Sequence, residues 1–333
     1  MNKRLQEIAE YTGLSESTVS RVLNDRKGVA TATRDAVLTA VDVLGYERPT
    51  QLRSQEARLV GVIMPQFGNP IFPAFAEAIG GHLTQRGYTP LFGVTETGGP
   101  SETEYVQTML GRQVAGMIFI SCLHAVGHYD HSHYQLLLDR KLPVVAVDGL
   151  APDLELSCVS TDDVQAVELA VRHLVDLGHR KIGLAISDQD HVPGARKVAA
   201  FNDCVAGIEG VEGVVDQSIY TLEGGSSAAS HLIGSGVTGI VCASDVMALG
   251  AVKAARRMGL RVPEDISVIG YDDSTMMPLV DPPMTTVRQP VEALSKAAVG
   301  LLVSQIAGRG NRAGEIFFEP ELVVRSSTGP ALS

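Results

Sequence analysis

Apolar residues over the first 45 positions fall in groups spaced by three and four. Leu5, Ile8 and Ala9 form one group, Leu14 follows alone, Val19, Val22 and Leu23 form a second, and Ala36, Val37, Ala40, Val41 and Leu44 a third. That spacing is helical, and no strand-like run interrupts it. Gly13 separates the first group from the second. Ser15 is a candidate N-cap for a helix opening at Glu16, Thr31 or Thr33 can cap the third helix, and Gly45 can end it. Three short helices, the first two joined by a tight glycine turn, make a helix-turn-helix arrangement. Residues 46–58, YERPTQLRSQEAR, are polar and read as a linker or a marginal helix.

From Leu59 the pattern changes. LVGVIMP (59–65), TPLFGV (89–94), AGMIFIS (115–121), PVVAVD (143–148), KIGLAIS (181–187), GIVCAS (239–244) and ISVIGYD (266–272) are short apolar runs, with amphipathic segments between most of them. Strands that are apolar on both faces and alternate with helices imply a parallel sheet covered on both sides. The runs are too many for one small sheet and the pattern restarts near 160, so two similar open lobes are expected. The predicted architecture is an all-α helix-turn-helix headpiece (1–45), a hinge (46–58) and an α/β core of two doubly wound lobes (59–333).

Composition narrows the class. Apolar residues make up 45% of the 333 residues and charged residues 20%, an ordinary globular balance. No window of about 18 apolar residues points to a membrane span. The N-terminus has no apolar core of a secretory signal, so a cytoplasmic protein is expected. Cys122, Cys158, Cys204 and Cys242 lie far apart and read as free thiols. The net charge of −11 argues against nucleic-acid binding over the whole surface. However, residues 1–58 hold nine Lys/Arg against eight Asp/Glu, while the remaining 275 residues hold 18 against 30. Any DNA contact therefore belongs to the first 58 residues.

On the helix opening at Glu16, Glu16, Ser17, Ser20 and Arg21 point away from the small core. A polar first turn of this kind suits the major groove, where arginine donates twice to guanine and glutamate accepts from cytosine. Ser15 and Thr18 stand where side chains and helix-start N–H groups grip phosphate. On spacing alone, a three-helix bundle with another partner stays open. The segments LQEIAEYTGLSESTVSRVLN (5–24) and GVATATRDAVLTAVDVLGY (28–46), however, resemble the DNA-binding headpiece of the LacI/GalR family. The resemblance implies that Glu16 and Ser17 read operator bases, with Ser15, Thr18, Ser20, Arg21 and Asn24 in the same interface. In the hinge the sequence departs from the family. Its proline is one place late and the Ala-x-x-Leu is missing, leaving Leu52 as the only candidate minor-groove wedge and Arg53 as a backbone contact.

The resemblance continues through GNPIFPAFAEAIGGHLTQRGYTPLF (68–92), RHLVDLGHRKIGLA (172–185), CASDVMALGAVKAARRMGLRVPEDISVIGYDDS (242–274) and PPMTTVRQP (282–290). It implies a periplasmic-binding-protein-like core that holds a small effector between its lobes. Sugars are recognised by carboxylates and amides that take adjacent hydroxyls, and by aromatic faces that cover the ring. Asp148 and Asp272 each close a strand, where a cleft is expected, though an Asp there is also a common helix cap. Both match family positions that contact effector, as do Ile71, Phe72, Ser121, Asp162 and Tyr220. Phe72 and Tyr220 are candidate ring platforms or core aromatics. Lys197 holds a position where the family commonly has arginine, with Arg196 as an alternative, and lysine lacks the planar fork. Ser244 replaces a common asparagine and leaves room for a larger ligand.

The Cys-Ala-Ser-Asp form, the GYERP hinge and the YTLEGG segment (220–225) are similar to the maltose and α-glucoside regulators of high-GC Gram-positive bacteria. His124, His128, His131 and His133 crowd one segment, but no carboxylate or cysteine pair frames a metal site, and no metal or cofactor is expected. No GxGxxG after a strand, P-loop or GxSxG elbow is present, so an enzyme is not expected either. The expectation is a homodimeric repressor on a near-palindromic double-stranded DNA operator, released by a sugar. The alternative is a regulator of the same fold that binds DNA better with a ligand such as a nucleobase. No leucine heptads follow Arg325, so no tetramerisation helix is expected.

Overall fold

In a computed structural model of the chain, the structure describes residues 3–24, 26, 28–44, 46, 58–96, 98–187, 190–309 and 313–332. The chain divides into two compact units, the larger holding almost everything from Val60 onward. In the smaller unit lie α1 (Lys3–Thr12), α2 (Glu16–Leu23) and α3 (Thr31–Val43). Ile8, Ala9, Val19, Val22, Leu23, Val37, Leu38, Ala40 and Val41 form its core, matching most of the helical apolar positions. Gly13 makes the turn with φ +67°, a conformation that costs glycine little. Ser15 caps α2, its Oγ accepting from Thr18 N at 3.2 Å. Since α3 begins at Thr31 itself, the cap position falls on Ala30 rather than on either threonine. Gly45 lies outside the described residues.

The larger unit contains two six-stranded sheets. The strands are β1 (Arg58–Met64), β2 (Tyr88–Val94), β3 (Gly116–Ile120), β4 (Val144–Val147), β5 (Ser157–Thr161), β6 (Lys181–Ile186), β7 (Glu212–Gln217), β8 (Gly239–Cys242), β9 (Ser267–Asp272), β10 (Thr285–Arg288), β11 (Gly314–Phe318) and β12 (Glu321–Val323). The first sheet runs β11-β5-β4-β3-β1-β2 and the second β12-β10-β9-β8-β6-β7. The helices are α4 (Ile71–Gln85), α5 (Glu102–Gly111), α6 (Ser132–Asp139), α7 (Asp163–Asp176), α8 (Val192–Ala206), α9 (Leu222–Gly234), α10 (Asp245–Arg257) and α11 (Val291–Ile306). Side chains start several of them. Ser101 and Glu104 form a capping box on α5, and Asp162, Thr221 and Ser244 cap α7, α9 and α10.

The lobes are not sequential halves. β5 ends at Thr161, and α7 packs on β8, β10 and β12 of the second lobe, so the chain crosses near Asp162, where the pattern restarts. It crosses again after Arg288, because α11 packs on α4, β3, β4 and β5, and a third time between β11 and β12. Three crossings, the last ending in β12, which runs antiparallel to β10 at the edge of an otherwise parallel sheet, make the connections of a hinge. All seven expected runs form strands. The four cysteines are free thiols, three of them buried. Among the described residues no helix is long and apolar enough to cross a membrane.

Candidate functional site

The carboxyl ends of both sheets face each other across a cavity of about 440 Å³. Pro65, Gln66 and Asn69 enter it after β1, Ser121 after β3, Asp148 after β4, Ser187 after β6, Ala243 and Ser244 after β8, and Gln289 after β10. Tyr271 and Asp272 enter from the end of β9, and Ile71, Phe72 and Phe75 from α4. This is where open α/β sheets bind ligands. The backbone is strained at the same ends: Ser121, Asp148 and Asp272 have φ of 46°, 68° and 118°. Non-glycine residues persist in such conformations when their surroundings hold them there, commonly at functional sites.

The polar groups are tightly arranged. Ser121 donates to the Asp148 carboxylate. Asp272 is 5% exposed and accepts from Gln289 Nε2 at 2.8 Å and from Asn69 Nδ2 at 3.4 Å, the latter reaching across from the first lobe. Gln289 also takes a hydrogen bond from Thr161 Oγ1 at 2.9 Å, so one amide joins the end of β5 to the second lobe. Burial, and then the Asp245 carboxylate, push Asp272 well above the usual carboxylate range. Lys197 is buried, donates to Asp163 at 2.5 Å and lies 4.5 Å from the centre of the Tyr271 ring. Burial works against its charge, but Asp163, Tyr271, Tyr220 and Asp148 together outweigh it and hold Lys197 above its ordinary value. Asp163 itself is pushed up to about 6 by burial, against the pull of Lys197. The Tyr271 hydroxyl is buried and has no hydrogen-bond partner among the described residues. An orphaned donor beside a cavity marks a place where a ligand oxygen gains a partner.

Of the residues singled out in the sequence, Ile71, Phe72, Ser121, Asp148, Lys197, Tyr220, Ser244 and Asp272 line this cavity. Asp162 and Arg196 do not. The Asp162 carboxylate is engaged as a helix cap, accepting from Val164 N and Gln165 N, each at 3.0 Å. Arg196 turns to β11, forking onto the half-buried Glu315 carboxylate and lying over Phe317, while Lys197 is taken by Asp163. Ser244 is likewise committed, its Oγ accepting from Met247 N at 3.2 Å. Sequence reasoning did not single out Asn69, Gln289 or Tyr271. All three lie inside the quoted segments GNPIF, VRQP and VIGYD, and only the fold shows which of those side chains turn inward.

The four histidines of the crowded segment diverge. His124 and His133 are buried, His131 pairs with Asp153 at 2.9 Å, and His128 is exposed. Among the described residues no group of three metal-ligating side chains converges. Burial lowers His124 to about 4. Below about 6.5 the unfolded chain binds a proton that the folded chain refuses, so this residue subtracts stability as pH falls from 6.5 towards 4. About 2 kcal/mol is expected to be lost through it between pH 7 and pH 5. Urea unfolding at the two pH values should show a correspondingly smaller loss for His124→Gln. An equal loss in both proteins would contradict the assignment.

In the smaller unit, Ser15, Ser17, Arg21 and Asn24 are exposed and Glu16, Thr18 and Ser20 half-buried, while Val19, Val22 and Leu23 of the same helix are buried. The polar candidates thus share the outward side of α2. Asn24 closes that helix, its Nδ2 donating to Ser20 O at 2.8 Å. Leu52 and Arg53 lie outside the described residues.

Comparison with known proteins decides the kinship. Residues 4–49 match the bacterial regulatory proteins of the lacI family, and residues 171–328 match a periplasmic binding protein-like domain. The HTH-type transcriptional regulator reg1 of Streptomyces lividans is 49% identical over 338 residues, covering 99% of this chain and 98% of the relative. This chain belongs to the lacI family. MalR of Streptomyces coelicolor is also 49% identical, over 337 residues, with 99% and 98% covered. Among solved structures, a CelR–cellobiose complex aligns with TM-score 0.73 and 29% identity over 97% of this chain and 99% of that one. A lac repressor dimer bound to operator and the anti-inducer ONPF aligns with TM-score 0.78 and 26% identity, covering 97% and 98%. The relatives are named as transcriptional regulators, and this chain is a transcriptional regulator of the lacI family, not an enzyme.

Proposed function

We propose that this lacI-family protein is a cytoplasmic, homodimeric repressor whose grip on a near-palindromic operator is weakened by a sugar, an α-glucoside such as maltose. The observation that carries this reading is the cavity between the lobes. Its carboxylates Asp148 and Asp272 and the Tyr271 hydroxyl, without a partner among the described residues, suit adjacent sugar hydroxyls, while Phe72 and Tyr220 supply apolar faces. The cellobiose in the CelR relative supports a sugar, and the similarity to MalR is in keeping with the α-glucoside resemblance of the sequence. In this reading residues 1–45 are the DNA-reading headpiece, 46–58 the hinge and 59–333 the effector and dimerisation core. Glu16, Ser17 and Arg21 read bases, and Ser15, Thr18, Ser20, Asn24 and Arg53 hold the backbone, with Leu52 as the wedge. Closure of the lobes on the sugar changes the spacing of the two headpieces.

The test is fluorescence anisotropy of the intact protein on a palindromic duplex recovered by selection against random DNA. Maltose is expected to lower affinity between several-fold and about a hundred-fold, the range of a coupling of about 1–3 kcal/mol. Raised affinity would favour the co-repressor alternative, and nucleobases are then the ligands to try. Affinity that does not fall with rising salt would remove DNA from the proposal.

A further inference from the structure

The histidine-rich segment has no part in the function as proposed so far. Its backbone, however, spans the cleft. After β3 the chain makes a short 3-10 turn, Leu123–Ala125, and then reaches the second lobe. Gly127 N donates to Asp190 O at 2.9 Å, and Val126 forms an antiparallel bridge with His191, the residue preceding α8. Val126, Asp190 and His191 all line the cavity. Main-chain hydrogen bonding thus joins the lobes at the cavity's edge, where a bound ligand has to pass or be covered.

The near end of this segment is held from below by a buried polar cluster. Glu102, at the start of α5, is 3% exposed and accepts from Leu123 N at 3.0 Å, from His133 Nε2 at 2.8 Å and from the Tyr134 hydroxyl. The Tyr134 oxygen in turn accepts from His124 N at 2.9 Å. His131 Nε2 bonds Leu123 O at 3.0 Å, and Ala151 N donates to His124 O at 2.8 Å. The His124 ring reaches Val147 O at 3.2 Å, one residue before Asp148 of the cavity. Residues from α5, α6 and the segment after β4 therefore converge on the main chain of two adjacent residues, Leu123 and His124. A buried carboxylate and three histidines are a costly way to hold a short loop, and such a network is rigid only when every member is satisfied.

We propose that segment 123–127 is a clasp that the first lobe lays across the effector cavity, and that Glu102 is the positioning residue that holds it. The clasp rests on the cleft being the effector site. It acts on ligand release rather than on ligand recognition: the far end lets go when the lobes part, and Glu102 keeps it aimed at Asp190 and His191.

The test uses the intact protein. In hydrogen exchange the Gly127 amide is expected to be protected in the wild type and to exchange roughly fivefold to tenfold faster in Glu102→Gln, the change that loss of one hydrogen bond brings. Amides of β3 and β4 should keep their rates. Equal protection at Gly127 in both proteins overturns the role of Glu102, and an unprotected Gly127 in the wild type overturns the clasp. Gly127→Pro supplies a second arm, deleting the donor itself. Val126 already has φ −101° and ψ 113°, the extended backbone that a residue before proline adopts, so the preceding residue need not change. In stopped flow, maltose is expected to leave this variant roughly fivefold to tenfold faster. Its association rate should stay within about twofold, since most changes to one interface appear in dissociation. Unchanged release overturns the clasp. If maltose does not bind the wild type, the α-glucoside reading falls, and hydrogen exchange still decides the clasp.

Discussion

Asp272→Gly is expected to abolish the response to effector while leaving the core at least as stable as the wild type. The carboxylate is the most deeply buried acid of the cavity, and its second role, joining Asn69 of one lobe to Gln289 at the hinge, makes it a sensor of closure. A charged acceptor contributes about 1.5–3 kcal/mol per hydrogen bond, so losing two sugar hydroxyl contacts weakens binding by about a hundred-fold or more. Stability responds in the opposite sense. Burial and Asp245 hold Asp272 well above the usual carboxylate range, so at pH 7 its ionised form works against folding. Its φ of 118° adds strain of order 1–3 kcal/mol for any residue but glycine. Asp272→Ala shares the lost contacts and keeps the strain, so it should bind no better than the glycine variant and be less stable by about 1–2 kcal/mol. Titration calorimetry with maltose, urea unfolding of the unliganded protein and operator anisotropy measure the three quantities. A glycine variant less stable than the wild type by more than about 1 kcal/mol would make Asp272 a structural clamp. Operator binding without sugar should stay within about twofold.

Much of this arrangement is legible in the sequence because the physics is local. The three-and-four spacing of Leu5, Ile8, Val19, Val22, Val37 and Val41 places each helix of the small unit, and Ser15 announces α2. Apolar runs mark β1, β3, β4, β6, β8 and β9 because both faces of these strands are buried. The pattern is silent where burial is shared differently. β5 reads Ser-Cys-Val-Ser-Thr, yet every one of its residues is buried, because its hydroxyls find partners inside, Ser160 on Glu315 and Thr161 on Gln289. β7, β11 and β12 are edge strands with exposed residues, so they carry no continuous apolar run. Nothing local says that α11 returns to the first lobe, since its apolar face would pack on either sheet. For the same reason Asp162 and Asp272, both at crossings or strand ends, cannot be told apart in sequence. One faces the start of a helix and the other faces the cavity, and only the path of the chain decides which.

Gly250→Ala is expected to lower the melting temperature of the core by roughly 6–10 °C, the effect of about 3 kcal/mol in a unit of this size. Small residues, the run Gly224-Gly225-Ser226-Ser227-Ala228-Ala229 on α9 and Ala248, Gly250 and Ala251 on α10, let the two helices meet backbone against backbone. A Cβ on Gly250 would lie 2.1 Å from Leu222 O and 2.7 Å from Ser226 N, and one on Gly225 would lie 2.2 Å from Met247 O. These neighbours are main chain, so they yield only if a whole helix shifts. Alanine is otherwise the better helix former by about 1 kcal/mol, so the sign of the effect is diagnostic. An alanine that stabilised the protein would mean that the helices are not in contact. A shift of α10 also moves Ser244 at its N-cap and Asp245, which takes hydrogen bonds from Ser274 N and Thr286 Oγ1 at 2.7 Å each. Ser244 lines the cavity and Asp245 sits beside Asp272, so effector binding should weaken together with stability. Gly234→Ala is the control, for its added Cβ meets nothing within 4 Å, so it should leave effector binding unchanged and leave stability equal or raised by up to about 1 kcal/mol. Calorimetric melting of the three proteins, with and without maltose, separates the outcomes.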